Sequence, residues 1–135
     1  MGILNRNAFR DCILLFIAAG AAGAVVANEV RPSLICGGVE PFWSLEIEAV
    51  EAVFTAPDIE QINYAIPHVA KAEGRPWPQV LTLLAQRDTA LAIIRPMQCS
   101  DTMSDTAFDW MIDVLTQRNG EAIALTGCCR LRPTD

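Results

Sequence analysis

From Phe42 onward, apolar and polar residues alternate with the period of a β-strand, broken at short intervals by turn chemistry. Trp43, Leu45 and Ile47 fall on one face of a first strand, and Ser44, Glu46 and Glu48 on the other. Pro41 suits the opening of that strand and holds Glu40 extended, while Cys36-Gly37-Gly38 reads as a cysteine and a two-glycine turn before it. A short second strand, 52–56, is ended by Pro57-Asp58. Residues 59–69 fit two patterns. Ile62, Tyr64 and Ile66 alternate as in a strand, Ile59, Ile62 and Ile66 share a helix face, and Pro67 favours an edge strand. Residues 71–78 form a loop, exposed except for Trp77.

Two apolar runs, 80–85 and 89–95, flank Gln86-Arg87-Asp88 as a hairpin. In the second run Leu91 and Ile93 oppose Ala92 and Ile94, the pattern of a strand buried on both sides. A polar loop over 98–105 precedes the cleanest strand, 107–116, where Phe108, Trp110, Ile112 and Val114 alternate with Asp109, Met111, Asp113 and Leu115. Asn119-Gly120 is a tight-turn pair, since both residues tolerate positive φ, and 122–129 is the last strand before a polar tail. About seven short strands imply an all-β fold, a small antiparallel up-and-down barrel or sandwich; closure favours the barrel because it removes exposed edges.

Residues 1–27 read as an N-terminal signal helix. Arg6 and Arg10 precede an uncharged apolar run, 12–26, and Ala27 offers a small residue for cleavage. At about 15 residues the run is short of the roughly 20 that span a bilayer; the alternative is an uncleaved anchor through residues 12–27. Periplasmic export of a single β-domain, 28–135, is the expectation. Of ten basic residues Arg6 and Arg10 leave with the leader, and of sixteen acidic ones only Asp11, so the mature chain carries −7. That charge argues against nucleic acid or anionic lipid and leaves a cationic protein or an envelope component as partner, with membrane contact only through an uncleaved leader.

Export also decides the cysteines. Cys36, Cys99, Cys128 and Cys129 in a small exported domain imply two disulfides. A bridge between the adjacent Cys128 and Cys129 is geometrically disfavoured, so Cys36 and Cys99 each pair with one of them, in an order the sequence leaves open. Neighbouring strand residues face opposite ways, so one bridge lies inward and the other outward. Such bridges are expected to pin the blocks 40–43 and 101–105 to one end of the barrel, where any binding surface then lies.

No enzyme is expected. His68 is the only histidine, no Gly-x-Ser-x-Gly is present, and Gly37-Gly38 is no phosphate loop. No cofactor or metal is implied either, because Asp101 and Asp105 lack a calcium-loop spacing. A soft-metal set of His68, Met97, Cys99 and Met103 fails once Cys99 is in a disulfide. The candidate binding residues are Glu40, partly buried beside Phe42, Trp43 as core or stacking platform, and Asp101, Met103 and Asp105. Ser100, Asp101, Ser104 and Asp105 are suited to turn-forming hydrogen bonds, and Met103 to plugging a barrel end.

Glu40-Pro41-Phe42-Trp43, Cys99-Ser100-Asp101-Thr102-Met103-Ser104-Asp105 and Gly127-Cys128-Cys129, in this order, resemble a group of uncharacterised exported bacterial envelope proteins, periplasmic or lipoprotein-like. These stand near the META (HslJ-like) domains and the lysozyme-inhibitor barrels. The resemblance implies a disulfide-bonded β-domain of the envelope and brings no activity with it. This chain departs from the lipoproteins among them, since Ser33-Leu34-Ile35 before Cys36 is no lipid-attachment signal. The functional expectation is a non-enzymatic binding or structural protein; the alternative is an inhibitor of a cationic hydrolase such as lysozyme, inserting the 99–105 loop.

Overall fold

The computed structural model describes residues 31–134, so the expected signal helix over 1–27 falls outside the described residues. The described chain is all-β: β1 Leu34–Val39, β2 Phe42–Ile47, β3 Glu51–Ala56, β4 Ile59–Lys71, β5 Gln79–Leu84, β6 Thr89–Ser100, β7 Ala107–Arg118 and β8 Glu121–Leu131. Each strand pairs antiparallel with the next and β8 pairs with β1, closing an up-and-down barrel. Because direction alternates, the turns β1–β2, β3–β4, β5–β6 and β7–β8 share one end, here called the lower. The turns at 48–50, 72–78 and 101–106 and both ends of the described chain lie at the upper.

The strand beyond the expected seven is β1, which contains the glycines read from sequence as a turn. They are in mid-strand because backbones and an indole approach closely there. A Cβ on Gly38 would stand 2.3 Å from Trp43 Nε1, and one on Gly127 2.2 Å from the Gly37 carbonyl oxygen. Only glycine fits such approaches, so the pair marks a crowded seam between β1, β2 and β8. The turn itself is at Glu40-Pro41, joined by a cis peptide bond.

Residues 59–71 resolve as one strand, and it is interior rather than at an edge. Pro67 sits in the register shift between the pairs Ala65↔Leu84 and His68↔Thr82. A bulge needs no ladder N–H at its unpaired position, which is how a closed barrel accommodates the proline. Strand β6 is longer than expected and includes residues 98–100, leaving 101–106 as the loop. It is buried on one side only: Ala90, Ala92 and Ile94 face the core, while Leu91 is 42% exposed. The Asn119-Gly120 turn is as expected, with φ of 52° and 82°.

The interior is filled with side chains. Leu34, Leu45, Ile47, Phe54, Leu81, Leu83, Ile94 and Ile112 are fully buried within one apolar cluster. Each such residue contributes roughly 1.5–3 kcal/mol on burial, so this packing is the main stabilising term. Trp43 belongs to the same cluster, stacked on Phe54 with ring centroids 6.2 Å apart. Near the upper end Trp77 meets Trp110 edge to face at 4.8 Å, so Trp77 is half-buried as expected of it.

The two bridges are Cys36–Cys129 and Cys99–Cys128. Cys36 and Cys129 face each other across the β1–β8 seam and belong to the core. Cys128, one residue earlier, turns away from that core and is covered by Cys99 of β6. Disulfides are consistent with an oxidising compartment.

Candidate functional site

The β7–β8 ladder ends at Trp110↔Cys129 and the β5–β6 ladder at Gln79↔Ile94, yet β6 and β7 stay paired to Ser100↔Ala107. The hairpin therefore runs past the closed barrel as a two-stranded tip at the upper end. Its register shifts between Pro96 and Cys99, where one extra β6 residue bends the strand.

Asp101 builds the loop at this tip. Its Oδ1 accepts from the backbone N–H of Met103 at 3.0 Å and of Ser104 at 2.8 Å, and both carboxylate oxygens are 3.0 Å from Ser104 Oγ. Ser100 Oγ accepts from Thr102 N–H at 3.2 Å, which helps hold Thr102 at a φ of 63°. The N–H of Ser104, then that of Met103 and the Ser104 hydroxyl, holds the Asp101 carboxyl below its ordinary range. Asp101 thus organises the loop, as the turn-forming expectation had it. Met103 does not plug the barrel: it is 66% exposed, in a loop carried past the closed barrel by the β6–β7 extension. Asp105 is exposed beside it.

The other two candidates are elsewhere. Glu40 lies in the β1–β2 turn at the lower end and is exposed, not partly buried. Trp43 is 6% exposed, filling the space between Gly38, Gly127 and Phe54. The blocks 40–43 and 101–105 therefore stand at opposite ends, contrary to the expectation that the bridges bring them together. Strand direction decides this: one turn precedes an odd number of further strands before the other.

A polar cluster built on the Gln86-Arg87-Asp88 turn, which the sequence marks only as a hairpin, closes the lower end. Asp88 Oδ1 accepts from Tyr64 OH at 2.7 Å and lies 3.1 Å from Thr116 Oγ1, while Arg118 Nε is 3.4 Å from Oδ2. Thr116 Oγ1 also lies 2.9 Å from the Thr89 carbonyl oxygen, so its one proton serves either acceptor. The Arg118 guanidinium stands 4.6 Å above the Phe54 ring, which ties the cluster to the Trp43 stack. The four side chains come from two strands and a turn, and no local spacing advertises them.

Burial, and then Asp88, raise the Tyr64 phenol above its ordinary value of 10.0. The folded state thus keeps this proton at a pH where the unfolded chain has lost it. Stability from this group is whole below about pH 10 and falls as pH rises beyond it. Urea unfolding between pH 8 and 11 should show this decline, and Tyr64→Phe should lessen it. An unchanged slope in that variant counts against the assignment.

At the upper end Glu48 receives the Ser33 hydroxyl at 2.6 Å and pairs with Arg132, which also reaches Glu46 at 3.1 Å. These bonds, Ser33 first, lower the Glu48 pKa and fasten the two chain ends of the barrel together. Among the described residues, no three His, Cys, Asp or Glu side chains are grouped so as to hold a metal ion. No family model, no curated protein and no solved structure matches the chain.

Proposed function

We propose that this chain is a non-enzymatic binding protein of the cell envelope, working through the tip at residues 101–106 toward a cationic protein. The observation that carries this reading is the frame of hydrogen bonds that the Asp101 carboxylate accepts, which fixes an exposed loop before any partner arrives. Preorganisation of this kind lowers the ordering cost of association. The filled interior directs binding to the outer surface rather than to a lipocalin-like cavity. Export to the periplasm fits the disulfides and the leader. Cleavage after Ala27 predicts that N-terminal sequencing of the envelope fraction begins at Asn28; an intact Met1 would instead mean an anchor through 12–27.

A second reading, inhibition of a cationic hydrolase such as lysozyme, is favoured by one feature: exposed Met103 stands between Asp101 and Asp105. An apolar knob flanked by carboxylates is suited to a basic cleft, with the charges speeding encounter. Lysozyme assayed with a molar excess of the purified protein should lose most of its activity. Asp101→Ala, which removes the loop's frame, should weaken that inhibition about tenfold or more while the barrel stays folded. Unchanged lysozyme activity eliminates the inhibitor reading.

A further inference from the structure

The tip and the barrel are joined in an uneven way. Beyond Trp110, β7 no longer pairs with β8, and beyond Ile94, β6 no longer pairs with β5. The side-chain hydrogen bonds of the loop, from Ser100, Asp101 and Ser104, all stay within residues 100–106. Arg95 holds the base of the tip through its ion pair with Asp113 at 2.9 Å. Beyond that base, what fastens the tip to the body is Cys99–Cys128, which joins β6 to β8 across the strand between them. Cys99 Sγ rests 3.6 Å from the Gly127 carbonyl oxygen, so the contact is with β8 itself.

The two bridges also differ in access. Cys36 is 2% exposed and Cys129 0%, enclosed at the seam of the core. Cys128 is 5% exposed, but Cys99 is only half-buried, the one cysteine of the four that solvent reaches to that extent. Access to one sulfur is what thiol–disulfide exchange requires.

We propose that Cys99–Cys128 is a redox latch: a dithiol reductant opens it and frees the 95–109 tip, while Cys36–Cys129 keeps the barrel closed. A thiolate of the reductant attacks Cys99 Sγ. The S–S bond breaks, and its electron pair goes to Cys128 Sγ, which takes a proton. The reductant's second thiolate then attacks the mixed disulfide, releasing Cys99 as a thiol and leaving the reductant as a disulfide; two electrons pass in all. With the latch open, the Asp101 loop keeps its own bonds but loses its fixed position on the barrel. The consequence for partner binding rests on the reading of the tip given above; the latch itself does not.

The test uses the mature protein in native buffer with dithiothreitol, alkylation at intervals and peptide mapping. Cys99 and Cys128 should be alkylated at least about tenfold faster than Cys36 and Cys129. At exchange times too short for global unfolding to label the core, the half-reduced protein should exchange about tenfold or more faster across 95–109 while β1–β5 stay protected. A Cys99→Ser, Cys128→Ser variant should show the same exchange pattern; if it does not fold, the reduction arm decides alone. Equal or reversed reduction order overturns the proposal, and so does unaltered protection at 95–109 after the bridge is opened. Lysozyme inhibition, compared for the oxidised and half-reduced protein, is read separately. No inhibition by the oxidised form defeats the inhibitor reading and leaves the latch to be judged by exchange.

Discussion

Replacing Cys36 and Cys129 together by alanine is expected to be the most damaging change to stability, costing about 4–5 kcal/mol. The bridge spans a sequence separation of 93, against 29 for Cys99–Cys128. In the chain-entropy model the longer loop is worth roughly 4–5 kcal/mol and the shorter roughly 3–4. The core bridge also joins β1 to β8, the one seam whose strands come from opposite ends of the chain. Local turns bring all other neighbouring strands together, so this closure depends most on the cross-link. Urea unfolding of the two double variants, both under oxidising conditions, checks the ranking. If the Cys99, Cys128 pair proves the costlier loss, the seam does not control closure.

Trp43→Ala should follow closely, at about 3–5 kcal/mol, the range for an aromatic deleted from a packed core. Its indole fills the space left by Gly38 and Gly127 and stacks on Phe54, above which Arg118 is held. Truncation leaves a cavity at the crowded seam and removes one side of the stack. The arrangement predicts coupling as well. Gly38→Ala drives a methyl against Trp43 Nε1, a contact that vanishes once the indole is gone, although the Thr126 carbonyl oxygen at 2.9 Å remains. Gly38→Ala should therefore cost about 1 kcal/mol or more less in the Trp43→Ala background than in the native protein. Additive effects in a double-mutant cycle, measured by thermal or urea unfolding, would show that the indole and the glycine do not share that space.

The candidate site was legible in fragments. The Ser and Asp residues of 100–105 have turn chemistry whose partners lie within a few positions, so the loop bonds around Asp101 follow from the sequence. The exposure of Met103 does not, because whether an apolar side chain at a loop apex folds inward depends on what stands beneath it. The cysteine positions suggest that Glu40 and Trp43 gather with the loop, but strand direction places the β1–β2 turn at the end opposite the β6–β7 loop.

Alternation over 43–47 and 107–116, the Asn119-Gly120 turn and the cysteine arithmetic determined the β class, the preference for closure and the two admissible disulfide pairings. These are short-range signals: period, turn conformation and the poor geometry of a bridge between neighbours act over a few residues. Tertiary structure decided the rest. Gly37-Gly38 became mid-strand because Trp43 and Gly127 press on that backbone from other strands. Asp88 became the acceptor for Tyr64 and Arg118 because barrel closure superposes positions 24 and 30 residues apart. Which cysteine pairs with which was fixed by register, since Cys36 stands opposite Cys129 in the β1–β8 ladder. A contact made by closing a long loop leaves no periodic trace in the chain, because its partners are chosen by the geometry of the whole barrel.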